Sequence, residues 1–327
     1  MTATPNGGAL DAFAIGLNVN GGPRWTRRYA TTGDDRIYAS VISSAGDAVL
    51  FGDTSGLLGT ADTTLGALGT RDLFLIALDF DGNLRWTRQF GSPDVELAFA
   101  IDSAPTGDLY LTGMGYGTMD AAVREPFNPD VFLIRCSAAN GAPQWARQLG
   151  AAEGQSGETL FADAAGVHLL FYTNGSFPGA TNDSRGTRAS DDMIIARYDV
   201  NGRLIWLQQF DDTSERIFAR ALTVQDGTIY VLRDHVYVPG GPFTTATIDQ
   251  LPVPRLRTRG VPSVAAGSMQ IQVEGIAGQL FDAEGSADLQ LWNPAGTFSI
   301  APDGPPRTVT IPFTLGAPRW FARFTSP

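Results

Sequence analysis

RDLFLIALDFDGNLRWTRQFGSPDVELAFAIDSAPTGDLYLTG, residues 71–113, contains the pattern that decides the fold. Four short apolar runs lie in it, and turn residues separate them. The first run, Asp72–Asp79, leads into Asp81 and Gly82, which supply the positive φ that a tight two-residue hairpin requires. A strand around Trp86, an acidic connection and two further strands with their own tight turn complete the pattern. Each copy is therefore predicted to form four antiparallel strands.

The same text recurs along the chain, with a tryptophan at a fixed place in each copy. The first four tryptophans follow at intervals of about 60 residues, a spacing typical of repeat architectures, and the fifth lies about two intervals further. Copies are clear over residues 11–235 and degenerate over residues 236–327. We expect these indoles to be core residues between neighbouring sheets. They are Trp25, Trp86, Trp145, Trp206 and Trp320.

The repeat predicts an all-β chain, because no segment has a sustained helical period. Four-stranded units at this spacing are typical of a β-propeller, in which neighbouring blades cover each other's apolar faces. Counting strands predicts six blades in one domain over residues 1–327. One blade would be shared between Asp11–Tyr29 and Thr308–Phe324, which closes the ring without a free sheet edge. Two alternatives remain: one ordinary unit over Ser268–Phe324, or a separate C-terminal sandwich from Val261.

Composition limits the classes of function. The chain has 327 residues, of which 43% are hydrophobic, so it can bury a large core. A net charge of −11 opposes nucleic-acid binding, which requires a basic face. No apolar run approaches the ~18 residues of a transmembrane helix. The first ten residues lack the basic and then apolar pattern of a secretory signal, and whether such a signal was removed stays open.

The repeat text resembles the SBBP-type β-propeller repeat of bacterial surface and secreted proteins. The resemblance rests on the strand D-[AL]-F-[AL]-I, the turn N/D-G-N-L-x-W and the later G-D-x-Y-x-T-G, and it covers Asp11–His235. It implies a propeller that is often exported and serves binding or scaffolding, without an assigned activity. We therefore expect an extracellular or cell-surface protein, although this chain shows no export signal.

Acidic residues recur in the connection that follows each tryptophan strand. On equivalent blades they would lie near one face, where carboxylates could bind Ca²⁺ or a basic partner. The competing interpretation is that they cap tight turns through hydrogen bonds to the backbone. No copy has the ligand spacing of a calcium loop, so no cofactor is expected. The residues of this predicted acidic face are Asp34, Asp35, Asp94, Glu96, Glu153, Glu158, Asp211, Asp212 and Glu215.

No catalytic motif of the G-x-S-x-G, H-E-x-x-H or C-x-x-C type occurs. The loops that follow the fourth strand of each copy are long and varied, and such loops on a rigid scaffold are the usual place for recognition. The sequence therefore predicts a non-enzymatic module that binds a protein or glycan through its loop face. Two alternatives stay open: a structural subunit of a self-assembling surface filament, and a propeller hydrolase or lyase that uses paired axial carboxylates.

Overall fold

Every regular element in the described part of the chain is a β-strand, which confirms the all-β prediction. Within that part there is no helix with the length and apolar character needed to span a membrane. A computed structural model describes residues 8–59, 61–62, 65–119, 128–151, 154–173, 177, 181–182, 192–210, 216–236, 245–252, 257–265, 268–274, 280–286, 293–300, 307–312 and 321–325.

The first two thirds of the chain form an N-terminal hairpin and then successive antiparallel sheets. The hairpin contains β1 (Ala12–Leu17) and β2 (Pro23–Tyr29). Sheet one has the order β3 (Asp35–Ile42), β4 (Ala48–Thr54), β5 (Asp72–Leu78), β6 (Leu84–Phe90). Sheet two has the order β7 (Glu96–Ser103), β8 (Asp108–Gly115), β9 (Asp130–Ser137), β10 (Pro143–Leu149).

Sheets three and four continue the series. Sheet three contains β11 (Gln155–Asp163), β12 (Gly166–Thr173), β14 (Asp192–Asp199) and β15 (Leu204–Phe210), and the short β13 (Thr181–Asn182) pairs in parallel with β15. Sheet four contains β16 (Arg216–Gln225), β17 (Thr228–Val236) and β18 (Thr245–Pro252).

The sequence copies and the sheets are offset by two strands, because each of sheets one to three begins with the third strand of a copy. Strands β4 and β5 pair in register from Ala48–Leu78 to Thr54–Asp72, across a long loop. Strands β6 and β7 belong to different sheets, and residues 91–95 carry the chain from one to the next. A sheet therefore combines the last two strands of one copy with the first two strands of the following copy.

Several hairpin turns, including that between β5 and β6, hold three residues rather than the two expected, whereas Asp226 and Gly227 form the predicted two-residue turn between β16 and β17. In sheet one, Gly82 N donates to Asp79 O at 2.9 Å, and Asp79 N donates to Asn83 O at 2.9 Å. Gly82 has a φ of 74°, the left-handed region that glycine enters without strain. A type I turn followed by a left-handed glycine suits the twist of the paired strands. Hydrogen bonds to the Asp79 carboxylate, first from Asn83 N, lower the pKa of Asp79, so this acid serves the turn.

Each tryptophan strand is the last main strand of its sheet, and its indole packs on the next sheet. Trp25 joins a buried cluster that spans the N-terminal hairpin and sheet one, and Trp86 joins one that spans sheets one and two. Trp145 packs between sheets two and three, and Trp206 is buried between sheets three and four. Trp320 lies outside the described residues.

The C-terminal strands pair with one another. One sheet has the order β19 (Arg257–Ala265), β20 (Ser268–Glu274), β23 (Arg307–Pro312), and a second has the order β22 (Asn293–Ser299), β21 (Leu280–Ser286), β24 (Phe321–Thr325). The two sheets share a buried cluster that includes Val273, Phe281 and Val309. Part of the apolar surface of each sheet is thus covered by the other. Among the described residues, neither the shared blade nor a closed ring is formed.

The N-terminal hairpin leaves apolar side chains uncovered. Phe13 and Ile15 are 66% and 47% exposed, whereas Phe74 and Ile76, at the same places in β5, are fully buried. Strand β5 lies between β4 and β6, but β1 pairs only with β2 among the described strands. One face and one edge of β1 are therefore open.

Candidate functional site

The long loops and the acidic connections lie at the same end of the strands, and we call this end of the sheets the loop edge. Ser55 N, at the start of a long loop, donates a 3.0 Å hydrogen bond to Asp34 O in an acidic connection. In the next connection, Asp94 O accepts a 3.1 Å hydrogen bond from Thr70 N. The tight turns between β3 and β4 and between β5 and β6 lie at the opposite edge, the hairpin edge, because the strands are antiparallel.

In sheets one to three, a glutamine near the end of the tryptophan strand holds the long loop. In sheet one, Gln89 Oε1 accepts a hydrogen bond from Leu58 N at 2.7 Å. Its Nε2 donates to Gly56 O at 2.8 Å and to Asp72 Oδ2 at 3.1 Å. Gln89 and Asp72 are buried, where unpaired polar groups would be costly, so these hydrogen bonds fix the loop stem. We call this arrangement the glutamine clamp.

The glutamine clamp recurs with loops of different sequence. The corresponding side-chain pairs are Gln148–Asp130, at 2.9 Å, and Gln209–Asp192, at 2.5 Å. In both, the glutamine Oε1 also accepts a hydrogen bond from a loop N–H, at 3.0 and 3.1 Å respectively. Sheets one to three therefore anchor unrelated loops on one common framework.

The N-terminal hairpin carries an ion pair in place of the clamp. Arg28 occupies the place of Gln89, Asp11 occupies the place of Asp72, and the two side chains form a close ion pair. The ion pair joins the residue that precedes β1 to β2, as the Gln89–Asp72 hydrogen bond joins β6 to β5 in sheet one.

Two of the predicted acidic residues are buried turn caps. Asp35 Oδ2 accepts a hydrogen bond from Thr31 N at 2.6 Å, and Glu96 Oε2 accepts one from Ser92 N at 2.9 Å. Gln155 has the same place in sheet three and accepts from the N–H four residues earlier at 3.1 Å. Burial raises the pKa of Glu96 to about 7, although hydrogen bonds from Ser92 lower it. This geometry fits the turn-capping interpretation at these two residues.

The other predicted acids do not gather into one group. Asp34 pairs with Arg36 at 2.9 Å, Asp94 is exposed, and Glu158 is half-buried beside Ser156. The described residues contain no group of three or more acidic, histidine or cysteine side chains arranged to hold a metal ion. The remaining predicted acids lie outside the described residues: Glu153, Asp211, Asp212 and Glu215.

Asp53 places a fully buried carboxylate near the loop edge of sheet one. Its Oδ2 accepts a 3.3 Å hydrogen bond from Ala98 N of sheet two. Its Oδ1 accepts no hydrogen bond from the described residues. Two guanidinium groups face that oxygen, with Arg36 Nη1 at 3.8 Å and Arg71 Nε at 3.7 Å. These distances are too long for hydrogen bonds, so each guanidinium attracts the carboxylate without donating a hydrogen bond to it.

The two arginines connect Asp53 with solvent. Their side chains are 27% and 23% exposed, whereas that of Asp53 is fully enclosed. Arg36 Nη2 donates to Asp34 at 2.9 Å, but the buried Nη1 of Arg36 has no hydrogen-bond partner among the described residues. Burial raises the pKa of Asp53, and Arg71 and Arg36 act in the opposite direction. Asp53 Oδ1 can therefore accept a further hydrogen bond, and the adjacent Arg36 Nη1 can donate one.

A β-bulge brings Tyr38 into the same region. Tyr38 is the extra residue between paired positions 37 and 39 of β3, and its side chain is 47% exposed. Its pKa is raised by burial and by the charge of Asp53 and lowered by Arg36 and Arg71, so its hydroxyl lies in their field. Bulges often re-aim a side chain beside a functional site. We call Arg36, Tyr38, Asp53 and Arg71 the sheet-one cluster.

Sheet two carries apolar residues at the charged places of the sheet-one cluster. By strand register, Leu97 stands where Arg36 stands and Met114 stands where Asp53 stands. Pro129 precedes the clamp aspartate, as Arg71 does in sheet one. The repeat therefore folds without charge at these places. Sequence analysis missed the cluster, although a copy-by-copy comparison marks Asp53 as a charge inside an otherwise apolar strand.

No family model matches the chain, and a search of curated proteins finds no match either.

Proposed function

We propose that this chain is a non-enzymatic binding module that recognises a glycan or a protein through its loop edge. The observation that carries this proposal is the recurring glutamine clamp, which anchors three loops of different sequence on one framework. Loops that vary on a constant scaffold are suited to recognition, because the scaffold limits the ordering entropy that binding would otherwise cost.

We further propose that sheets one to four are blades of a propeller-type array. Their first strands, β3, β7, β11 and β16, lie next to one another in turn, as the inner strands of blades do. The indoles between consecutive sheets support the same arrangement. In such an array the loop edges of all blades point to one side and form a composite surface.

An orientation experiment tests the binding proposal. Asp81, 72% exposed at the hairpin edge, and Asp94, exposed at the loop edge, are each replaced by cysteine for biotin labelling. The single native thiol, Cys136, is buried and burial raises its pKa, so it should not react. The biotinylated protein is bound to streptavidin and applied to a glycan array and a protein array. Protein held through position 81 should bind, whereas protein held through position 94 should not, because streptavidin then covers the loop edge. Equal signals, or no signal from either labelled protein, would refute recognition through the loop edge.

A further inference from the structure

We infer that the sheet-one cluster is a binding subsite for a neutral sugar, in which Asp53 and the two arginines hold ring hydroxyls and Tyr38 contacts the ring face. This inference rests on the proposed binding function and names its ligand class. It starts from Asp53 Oδ1 and Arg36 Nη1, which are both buried and have no hydrogen-bond partner among the described residues.

The chemistry of these atoms selects a hydroxyl. A ligand group here must accept a hydrogen bond from a guanidinium and donate one to a carboxylate, and a hydroxyl does both. A ligand carboxylate or phosphate would suit Arg36 and Arg71 but would be repelled by Asp53. An ammonium group would suit Asp53 but would be repelled by both arginines. Neighbouring hydroxyls on a sugar ring can engage the guanidinium fork and the carboxylate together.

The surroundings also fit a sugar. Tyr38 is about half exposed beside the charged groups and offers an aromatic face to the C–H groups of a pyranose. Asp53 is enclosed, so a ligand reaches it past Arg71, whose side chain is 23% exposed. Asp34, paired with Arg36 at 2.9 Å, holds that guanidinium in place.

A purely structural role explains the cluster poorly. The matching places in sheet two are apolar, and the central strands β8 and β9 of that sheet are mostly buried, as β4 and β5 are in sheet one. Replacing buried ion pairs with apolar residues of similar volume is often neutral or stabilising. Charges retained at a place where the repeat does not need them are expected to serve binding.

The test uses the whole chain and titration calorimetry with neutral hexasaccharides of glucose, mannose, galactose and N-acetylglucosamine, and with an anionic hexagalacturonate. The main variant, Arg36→Leu with Asp53→Met, copies sheet two and should stay folded. Tyr38→Ala is a second variant that leaves the buried charges intact. Arg85→Met is the control, since Arg85 is an exposed arginine paired with Asp47 at the hairpin edge.

We expect wild type and Arg85→Met to bind at least one neutral hexasaccharide equally, and both cluster variants to lose affinity about tenfold or more. Binding that survives in the cluster variants would overturn the subsite and leave loop-edge recognition standing. Preference for the hexagalacturonate would overturn the neutral ligand class. If wild type binds none of the hexasaccharides, the sugar inference is wrong, and the orientation experiment decides the proposed function separately.

Discussion

The indole of Trp25 lies directly on Gly82, the left-handed glycine of the β5–β6 turn. A Cβ atom at Gly82 would stand 2.4 Å from Cδ2 of Trp25. The indole Nε1 also donates a 3.1 Å hydrogen bond to Phe80 O in the same turn. The relationship recurs as Trp86 on Gly141 and Trp145 on Gly202. The N-terminal hairpin, sheet one and sheet two are therefore each joined to the following sheet by an indole that packs on a glycine of its turn.

Gly82→Ala should destabilise the fold more than an ordinary left-handed glycine substitution does. Gly46 is the control, because it ends the β3–β4 turn of the same sheet with a φ of 83° and has nothing within 4 Å of an added Cβ. Gly46→Ala should cost about 1–2 kcal/mol for the backbone conformation, and Gly82→Ala about 1–3 kcal/mol more for the clash. Urea denaturation measures both. Equal losses would show that the indole does not press on the turn in solution.

The strands and the positions of the tryptophans could be predicted from the sequence, because a fixed repeat period predicts each strand from the matching strand of the neighbouring copy. The grouping of strands into sheets could not. The pairing of β4 with β5 spans a loop that varies between copies, so nothing local marks Thr54 as the partner of Asp72. The C-terminal pairing was equally hidden, since β23 pairs with β20 and β24 pairs with β21, strands that lie far from them in the sequence.

Gln89→Ala should loosen the first long loop. Without the amide, Leu58 N loses its acceptor and the buried Asp72 loses a donor, which should cost about 1–3 kcal/mol. We also expect faster hydrogen exchange at the Leu58 amide, which mass spectrometry resolves to a short peptide. Gln144→Ala, at an exposed place on β10, is the matched control and should change neither quantity. Unchanged exchange in Gln89→Ala would mean that the loop is held by other contacts.

Glu96→Gln should remove a pH-dependent loss of stability. Burial raises the pKa of Glu96 to about 7 from a usual 4.5, so its favourable contribution is complete below pH 4.5 and is lost as pH rises to 7 and above. Gln155 shows that an amide fits the same cap. The variant should therefore be more stable than wild type at pH 8 by about 1–3 kcal/mol and similar at pH 4.5. Thermal denaturation at pH 4.5 and at pH 8 measures the difference in stability between the variant and wild type. The same difference at both pH values would contradict the prediction.

The site was less accessible to sequence reasoning than the fold. The acidic residues were predicted to form a site because they recur, but Asp35 and Glu96 accept backbone hydrogen bonds that cap turns. Asp53 does not recur, and its partners Arg36 and Arg71 come near it only through cross-strand pairing and the adjoining loop. The framework here consists of residues that the copies share, such as the glutamine clamp. The proposed subsite consists of residues such as Asp53 that sheet one has and sheet two lacks.

Matched isoleucines test whether the open face of β1 stays open in solution. Ile15 and Ile76 occupy the same place in β1 and β5, but Ile15 is 47% exposed and Ile76 is fully buried. Ile76→Ala should cost about 2–5 kcal/mol, as removal of a buried aliphatic side chain does. Ile15→Ala should cost below about 1 kcal/mol, because much of its surface already contacts water. Urea denaturation at several protein concentrations gives both values. A loss at Ile15 as large as at Ile76 would mean that another strand covers β1, and dependence of that loss on concentration would identify a second copy as its source.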